Sequence, residues 1–203
     1  MLTFFLTGWL VSSINMNPLL FDDPNDLEAW LISKGIFTNS WRRYNGKSLT
    51  DLWTEYNIGE TIFQDDPPMR LIEVAEIIIR RGNTILIELE QEFADGRRRA
   101  RLVLPSEKLK SGEAPRHAAL RCLREELGLG GTDVTLREEP NLMEGVADSP
   151  SYPGLQTHYR FYTFEATTDA LPDEDFYRDN AASGDPVRRH LWGWREEQTS
   201  EVF

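Results

Sequence analysis

An α/β fold with a mixed sheet and a helical N-terminal extension is what this sequence predicts, and three observations carry it. Two short amphipathic patterns with recognisable caps precede a break at Asp65-Asp66-Pro67-Pro68. Beyond the break the pattern changes to β-branched runs separated by turns bearing Gly, Asn and Asp. One long helical pattern then interrupts the strands, which resume after it; strands, helix, strands is the order of an α/β domain.

Each element has its own signal. Asp23-Pro24 opens a short helix through Leu27, Trp30 and Leu31 that ends at Gly35. Asn39 to Lys47 reads as a polar loop. Ser48 caps a second helix carrying Leu49, Leu52, Trp53 and Tyr56, with Gly59 beyond it. So small a pair is expected to pack on the strands beyond the break as a cover or arm. Leu71 to Ile79 is a strand, Arg81-Gly82-Asn83 a turn, and Thr84 to Glu90 returns with Ile85, Ile87 and Leu89 on one face. After the turn at Ala94-Asp95-Gly96, Arg97 to Leu104 is a third strand, and Pro105 to Ser111 is a loop. Asp133 to Arg137 is a short strand and Asn141 to Leu155 a long polar loop. His158 to Ala166 alternates as a strong strand, and Asp169 to Pro186 is an acidic connection with one helical turn near Asp175 to Tyr177. Arg188 to Arg195 is a last strand. Trp192 and Trp194 share one of its faces, where core packing is the simpler expectation than stacking on a base. The expected organisation is an apolar leader over residues 1–20 outside the core, a helical extension over 21–66, and the main domain over 67–203.

Composition narrows the function classes. With 203 residues the chain can bury a sizeable core. Its net charge of −12 is repelled by nucleic acid and by anionic membranes, which leaves a small phosphorylated ligand held by a local basic patch as the expected partner. The one cysteine, Cys122, excludes an intrachain disulfide and a Cys-based metal site, which fits a reducing, cytoplasmic compartment better than an organellar or secreted one. Met1 to Asn15 carry no charged side chain; the run is too short to span a bilayer and lacks a basic n-region, so an upstream extension with Met16 as a second start is the expectation.

The long helical pattern, Gly112 to Leu129, carries the chemistry. Pro115 suits the first helical position and Gly128 the residue past the end. Leu120, Leu123 and Leu127 make a buried stripe. Glu125 and Glu126 fall in the last turn, where exposed carbonyls are already partly negative, so two acids there need positive charge. Arg121, one turn back from Glu125, supplies some; a hard divalent cation would supply more.

Glu113, Arg121, Leu123, Glu125, Glu126, Gly128 and Leu129 stand at the spacing of the signature box of the Nudix hydrolase superfamily, which the sequence therefore resembles over about residues 70 to 196. Glu107 stands where the family has its first glycine, and Cys122 where it has the glutamate after the arginine. The resemblance implies a mixed sheet sandwiched by helices, with the box as a loop-helix-loop beside the sheet. It further implies that Mg²⁺ or Mn²⁺, held by Glu113, Glu125 and Glu126, serves attack of water on a nucleoside-diphosphate-linked substrate. Arg121 orients those acids, and Glu125, Glu126 and Arg121 form the catalytic set. A thiol is a poor ligand for Mg²⁺ and its thiolate is disfavoured beside carboxylates, so Cys122 is a small packed residue and activity is expected to be low. The missing base would come from another loop, with Glu144, Asp148, Asp173, Glu174 and Asp175 as candidates. Arg97, Arg99 and Arg101 on one strand face, with Lys108 and Lys110, form a phosphate-binding wall in one reading and a charged exposed strand in the other. The alternative to a weak hydrolase is an inactive module that binds a nucleotide, or that assembles with a second copy or a protein partner through its N-terminal helices.

Overall fold

The computed structural model describes residues 18–44 and 46–197. Residues 1–17, the leader and Met16 among them, lie outside the described residues. Helix α1 (Pro24–Ser33) is capped by Asp23, whose carboxylate accepts from the N–H groups of Asn25 and Asp26. Helix α2 (Leu49–Asn57) has a full capping box between Ser48 and Asp51. Gly35 and Gly59 follow the two helices with positive φ. The expected polar loop between them is instead a short 3₁₀ helix, Thr38–Tyr44, because Trp41 is pulled fully into the interior, with its indole N–H on the Pro153 carbonyl at 2.9 Å.

Ten strands come next: β1 (Ile62–Gln64), β2 (Met69–Arg81), β3 (Thr84–Phe93), β4 (Arg98–Val103), β5 (Ser106–Lys108), β6 (Thr135–Leu136), β7 (Asn141–Asp148), β8 (Gln156–Thr167), β9 (Phe176–Asp179) and β10 (Val187–Glu196). The box helix, α3 (Pro115–Glu126), lies between β5 and β6. Along the sheet the order is β6-β8-β2-β3-β10-β9, with β1 and β5 also on β2, β7 on β8 and β4 on β3. The pairing of β2 with β8 is parallel over ten residue pairs and makes the sheet mixed, as the sequence predicted. The other ladders are antiparallel, and β2 meets β3 only at their hairpin end, Arg80–Arg81 against Thr84–Ile85. Strands β5, β7 and β9 stand where a loop, a loop and a helical turn were expected. β5 and β7 bury no regular alternate face, and β9 alternates over only four residues; each is held by the strand it borders, β2, β8 or β10, so its own sequence gives little period-two signal.

Two apolar clusters result. In the larger, Leu123 and Leu127 of α3 and its flank, with Cys122, pack against Ala75, Ile77 and Ile79 of β2, Phe164 of β8, and Leu86 and Trp192 of β3 and β10. Leu120 sits only at its rim, and Trp194 packs from outside with Arg81 stacked on it at 4.2 Å. The smaller cluster joins Leu27, Leu31, Trp41 and Leu52 of the extension to Phe63, Tyr152 and Leu155. No helix among the described residues is long and apolar enough to cross a membrane.

A buried ionic centre ties the extension to the sheet. Glu55 of α2 is met by Arg70 of β2 at 3.1 Å, Lys47 at 2.6 Å and Lys108 at 3.0 Å. Arg70 also donates to Ser149 and Thr157. Burial alone would raise the Glu55 carboxyl, but Lys108, Lys47 and Arg70 overcome it and hold the value down to about 2. The stability contributed by this depressed acid is present above its ordinary 4.5 and is lost as pH falls through about 2. Removing the carboxylate leaves Arg70 buried without an opposite charge. Glu55→Gln should therefore lower stability by about 3–5 kcal/mol at neutral pH, with the gap narrowing as the wild type is acidified. Urea unfolding across pH 2–7 (roughly the window set by linkage) measures it; equal stability at neutral pH would refute the assignment.

Candidate functional site

The site is built around α3. Pro115 occupies the first turn and Gly128, at φ +68°, turns the chain out of the helix, as expected from the pattern. Arg121 is the pivot. Its Nε and Nη2 donate to the two oxygens of Glu113 at 3.1 and 2.9 Å, Nη2 also donates to the Lys108 carbonyl at 2.9 Å, and Nη1 pairs with Glu107 at 3.0 Å. One guanidinium thus fixes β5, the box loop and the helix together. Against its own burial, Glu113, Glu107 and Glu125 push the Arg121 proton affinity above the ordinary range, so it is a permanent cation. Glu113 also accepts from the Lys110 N–H, and both its oxygens are engaged within the loop. Although burial opposes it, Arg121 and that N–H hold the Glu113 carboxyl below its usual value.

The next turn of the helix faces a set of acids. Glu126 is largely buried, and burial first, then Glu88, Glu107 and Asp185, push its carboxyl well above 4.5. Glu88 enters from β3 and accepts from both Arg101 Nε at 3.0 Å and His190 Nδ1 at 2.6 Å. Burial would raise Glu88 too, but His190 and Arg101 prevail and lower it. His190 Nδ1 is 4.0 Å from Glu126, which makes Glu88, His190 and Glu126 one cluster. Glu107 is raised by burial and by Glu60 and Glu125 in spite of Arg121. Glu125 is paired with Arg124 at 2.9 Å, not with Arg121 as its spacing suggested. Cys122 is fully buried in the core, and burial, with Glu126, Glu107 and Glu88, drives its thiol well above 9. It is the small packed residue expected.

The arginine row is exposed at Arg97 and Arg99 and half-buried at Arg101, and its members have partners within the chain. Arg97 pairs with Asp95, Arg99 donates to Gln91, and both lie over Phe93, while Arg101 reaches Glu88. Lys108 is turned to Glu55 and Glu60 of the extension, and exposed Lys110 forms no ion pair among the described residues. Four of the five loop acids suggested as a base have other partners: Glu144 holds Arg160, Asp148 caps the Gly154 N–H, Asp173 pairs with Arg81 and Asp175 with Arg195; Glu174 is exposed on the same acidic connection. Sequence reasoning placed neither His190 nor Glu88 in the site. The two meet across 102 residues of chain, so no local spacing announces them.

Charge and donor type suit a hard divalent cation: carboxylates crowd at Glu126, and burial makes their mutual repulsion costly. Among the described residues no three His, Cys, Asp or Glu side chains are gathered tightly enough to hold an ion as they stand. Glu126 and Glu125 fit such an ion best; Glu113 fits less well, since Arg121 and the Lys110 N–H take its oxygens.

A family model described as the NUDIX domain matches residues 70–184. Among solved structures, the chain is similar to a NUDIX hydrolase from Nitrosomonas europaea, at 19% identity over 60% of this chain and 72% of that one, with a TM-score of 0.38. It is also similar to a C. elegans Ap4A hydrolase at 15% identity, covering 62% and 80% of the two chains with a TM-score of 0.36. The E. coli ORF135 protein is 21% identical, over 63% and 75%, with a TM-score of 0.35. No curated protein matches the chain.

The raised Glu126 carboxyl has a consequence for stability. The folded state holds its proton more tightly than the unfolded chain, so the contribution is full below about 4.5 and is lost as pH rises through the folded value. Glu126→Gln should remove that loss and stabilise the protein in chelator near neutral pH by about 1–3 kcal/mol. Thermal melts of both proteins from pH 4 to 8 (about the range over which a raised carboxyl ionises) decide it; a variant less stable than wild type at neutral pH would count against an uncompensated charge at this position.

Proposed function

This chain belongs to the NUDIX domain family, and on that premise we propose that it is a divalent-cation-dependent hydrolase of a nucleoside-diphosphate-linked substrate, with low activity. The observation that carries the reading is the buried Glu126 carboxyl, set among Glu88, Glu107 and Asp185 with too little positive charge. Glu126 and Glu125 would hold Mg²⁺ or Mn²⁺, with Glu113 acting through Arg121 to fix the loop. When bound, the cation would neutralise phosphate charge and orient the attacking water. Arg99 and Arg101 beside Glu88 suit the remaining phosphate oxygens. Burial and the neighbouring Arg101 lower the proton affinity of Arg99, a setting in which an anion is welcome.

Both departures from the box fall in one place. Glu107 acts on the charge state of Cys122 and Glu126 alike, so it stands near the position where the box has lost its carboxylate. Arg121 holds Glu107 at 3.0 Å. Glu107 is therefore the group proposed to take the proton of the attacking water, in place of the buried thiol. The fully buried Cys122 also favours a second reading, a module that binds the nucleotide without turning it over.

A panel of nucleoside diphosphate derivatives, assayed with Mg²⁺, with Mn²⁺ and with chelator, separates the two. Hydrolysis should require the cation and fall by about 100-fold or more in Glu126→Gln and in Glu107→Gln, the scale expected when a ligand or a base is lost. Binding without turnover would establish the module instead. Cys122→Glu should not rescue activity: it buries a fresh carboxylate and should cost about 3–5 kcal/mol of stability in chelator, read from denaturant unfolding.

A further inference from the structure

A cavity of about 190 Å³ is lined by none of Glu88, Glu107, Glu126 and His190, and no step of the proposed reaction uses it. Its walls are the 59–62 segment of the extension, facing parts of β2 and β8, and the loop 109–112 that leads to α3. The extension is brought there by a close approach. Gly59, at φ +78°, packs so near Ser111 that a Cβ on it would lie 3.0 Å from the Ser111 nitrogen.

Most charges in the walls cancel in pairs. Glu73 takes Arg160 at 3.0 Å and the Tyr162 hydroxyl at 2.7 Å, and Glu60 takes Lys108 at 3.2 Å. What remains is a set of groups with unused capacity. His158 is 4% exposed, and neither of its ring nitrogens has a hydrogen-bond partner among the described residues; Glu144 stays 3.5 Å from Nε2. A buried imidazole left that way is costly and calls for a partner. Lys110 has no ion pair, and the backbone N–H groups of Ser111 and Gly112 no acceptor, among the described residues. Gly112 has φ +75°, and successive N–H groups in such a turn form a concavity suited to an anion.

We propose that this cavity binds a small phosphate-bearing molecule, its oxygens on Lys110 and the Ser111 and Gly112 N–H groups, with His158 bonding the same ligand from the buried side. Three sets of donors suit a phosphate better than a planar carboxylate. The volume is below the roughly 300–1,000 Å³ of pockets for drug-sized ligands, so the occupant is inorganic phosphate or a small monoester and not a whole nucleotide. Residues 59–62 of the extension close one wall of the cavity and precede the family match at 70–184, whereas the groups that would hold the ligand, Lys110, Ser111, Gly112 and His158, lie within it.

The test is calorimetric titration of the full chain, in chelator so that no divalent cation is present, with inorganic phosphate, glycerol phosphate and acetate in turn. Saturable binding of one or both phosphates is expected, with acetate far weaker. Lys110→Ala and His158→Phe should each weaken phosphate by about tenfold, as loss of a charge-assisted or buried hydrogen bond does. Glu126→Gln should leave it unchanged, which separates this site from the proposed hydrolase centre. Tighter glycerol phosphate would identify a monoester as the ligand, and tighter inorganic phosphate the free ion. Lys110 is exposed, so its variant keeps the fold and decides the matter even if His158→Phe does not fold. No saturable phosphate binding, acetate binding as tight as phosphate, or undiminished binding in Lys110→Ala would overturn the proposal.

Discussion

The loop and helix of the candidate site are organised by one guanidinium. Arg121 is committed on every side: to Glu113 in the loop, to Glu107 and the Lys108 carbonyl in β5, and to the helix that carries it. A planar fork of donors can make such contacts at once, which a lysine ammonium at the same place could not. The result is that the strand before the box, the loop and the helix form one rigid piece. Glu125 and Glu126 inherit their positions from it, being one turn further along the same helix. Arg121 serves those acids through position more than through charge, since the ion partner of Glu125 is Arg124.

The acids beyond Arg121 are only partly neutralised. Glu88 is served twice, by Arg101 and by His190, and stays ionised. Glu126 has no such partner within hydrogen-bond reach among the described residues, and its carboxyl moves the other way. Two glutamates in one cluster are thus pushed apart by their surroundings, one toward the charged form and one toward the neutral form. Such a divergence suits a position that meets a positive charge or carries a proton, which is the role the proposed function gives Glu126. Under the proposed function, a chain of net charge −12 would meet an anionic substrate through the arginine strip of β4 beside the acids, and not through its summed charge.

How much of this was legible in the sequence depends on where each signal resides. The two N-terminal helices, the β2–β3 hairpin and α3 were readable because caps, turns and periodicity are local. The strands that were missed, β1, β5, β7 and β9, border a longer strand that supplies their hydrogen bonds, and they are too short or too evenly exposed to show an alternating apolar pattern of their own. Trp41 gives no sign of its burial in a polar segment, because its partner Tyr152 is far along the chain, 5.0 Å away between ring centres. The box residues were legible as a pattern, yet the pattern could not say that Glu113 is spent on Arg121. Nor could it say that Glu88 and His190 would complete the cluster, since both come from strands outside the box.

The limits of the family domain do not coincide with the limits of what folds together here. The matched region begins at Arg70, and Arg70 is the residue whose charge is answered by Glu55 of the extension. It ends at residue 184, before β10 supplies His190 to the acid cluster and Trp192 to the core. A domain cut at those limits would strand a buried guanidinium at one end and remove the partner of Glu88 at the other. Both losses fall on buried charges, whose cost is set by what remains unpaired and not by the contact removed. The extension is also linked to β5 by Lys108, which reaches Glu55 and Glu60 while its carbonyl accepts from Arg121. One residue therefore connects the buried ionic centre of the extension to the pivot of the box, so a change in how α2 sits would be felt first at the loop that positions Glu107 and Glu113.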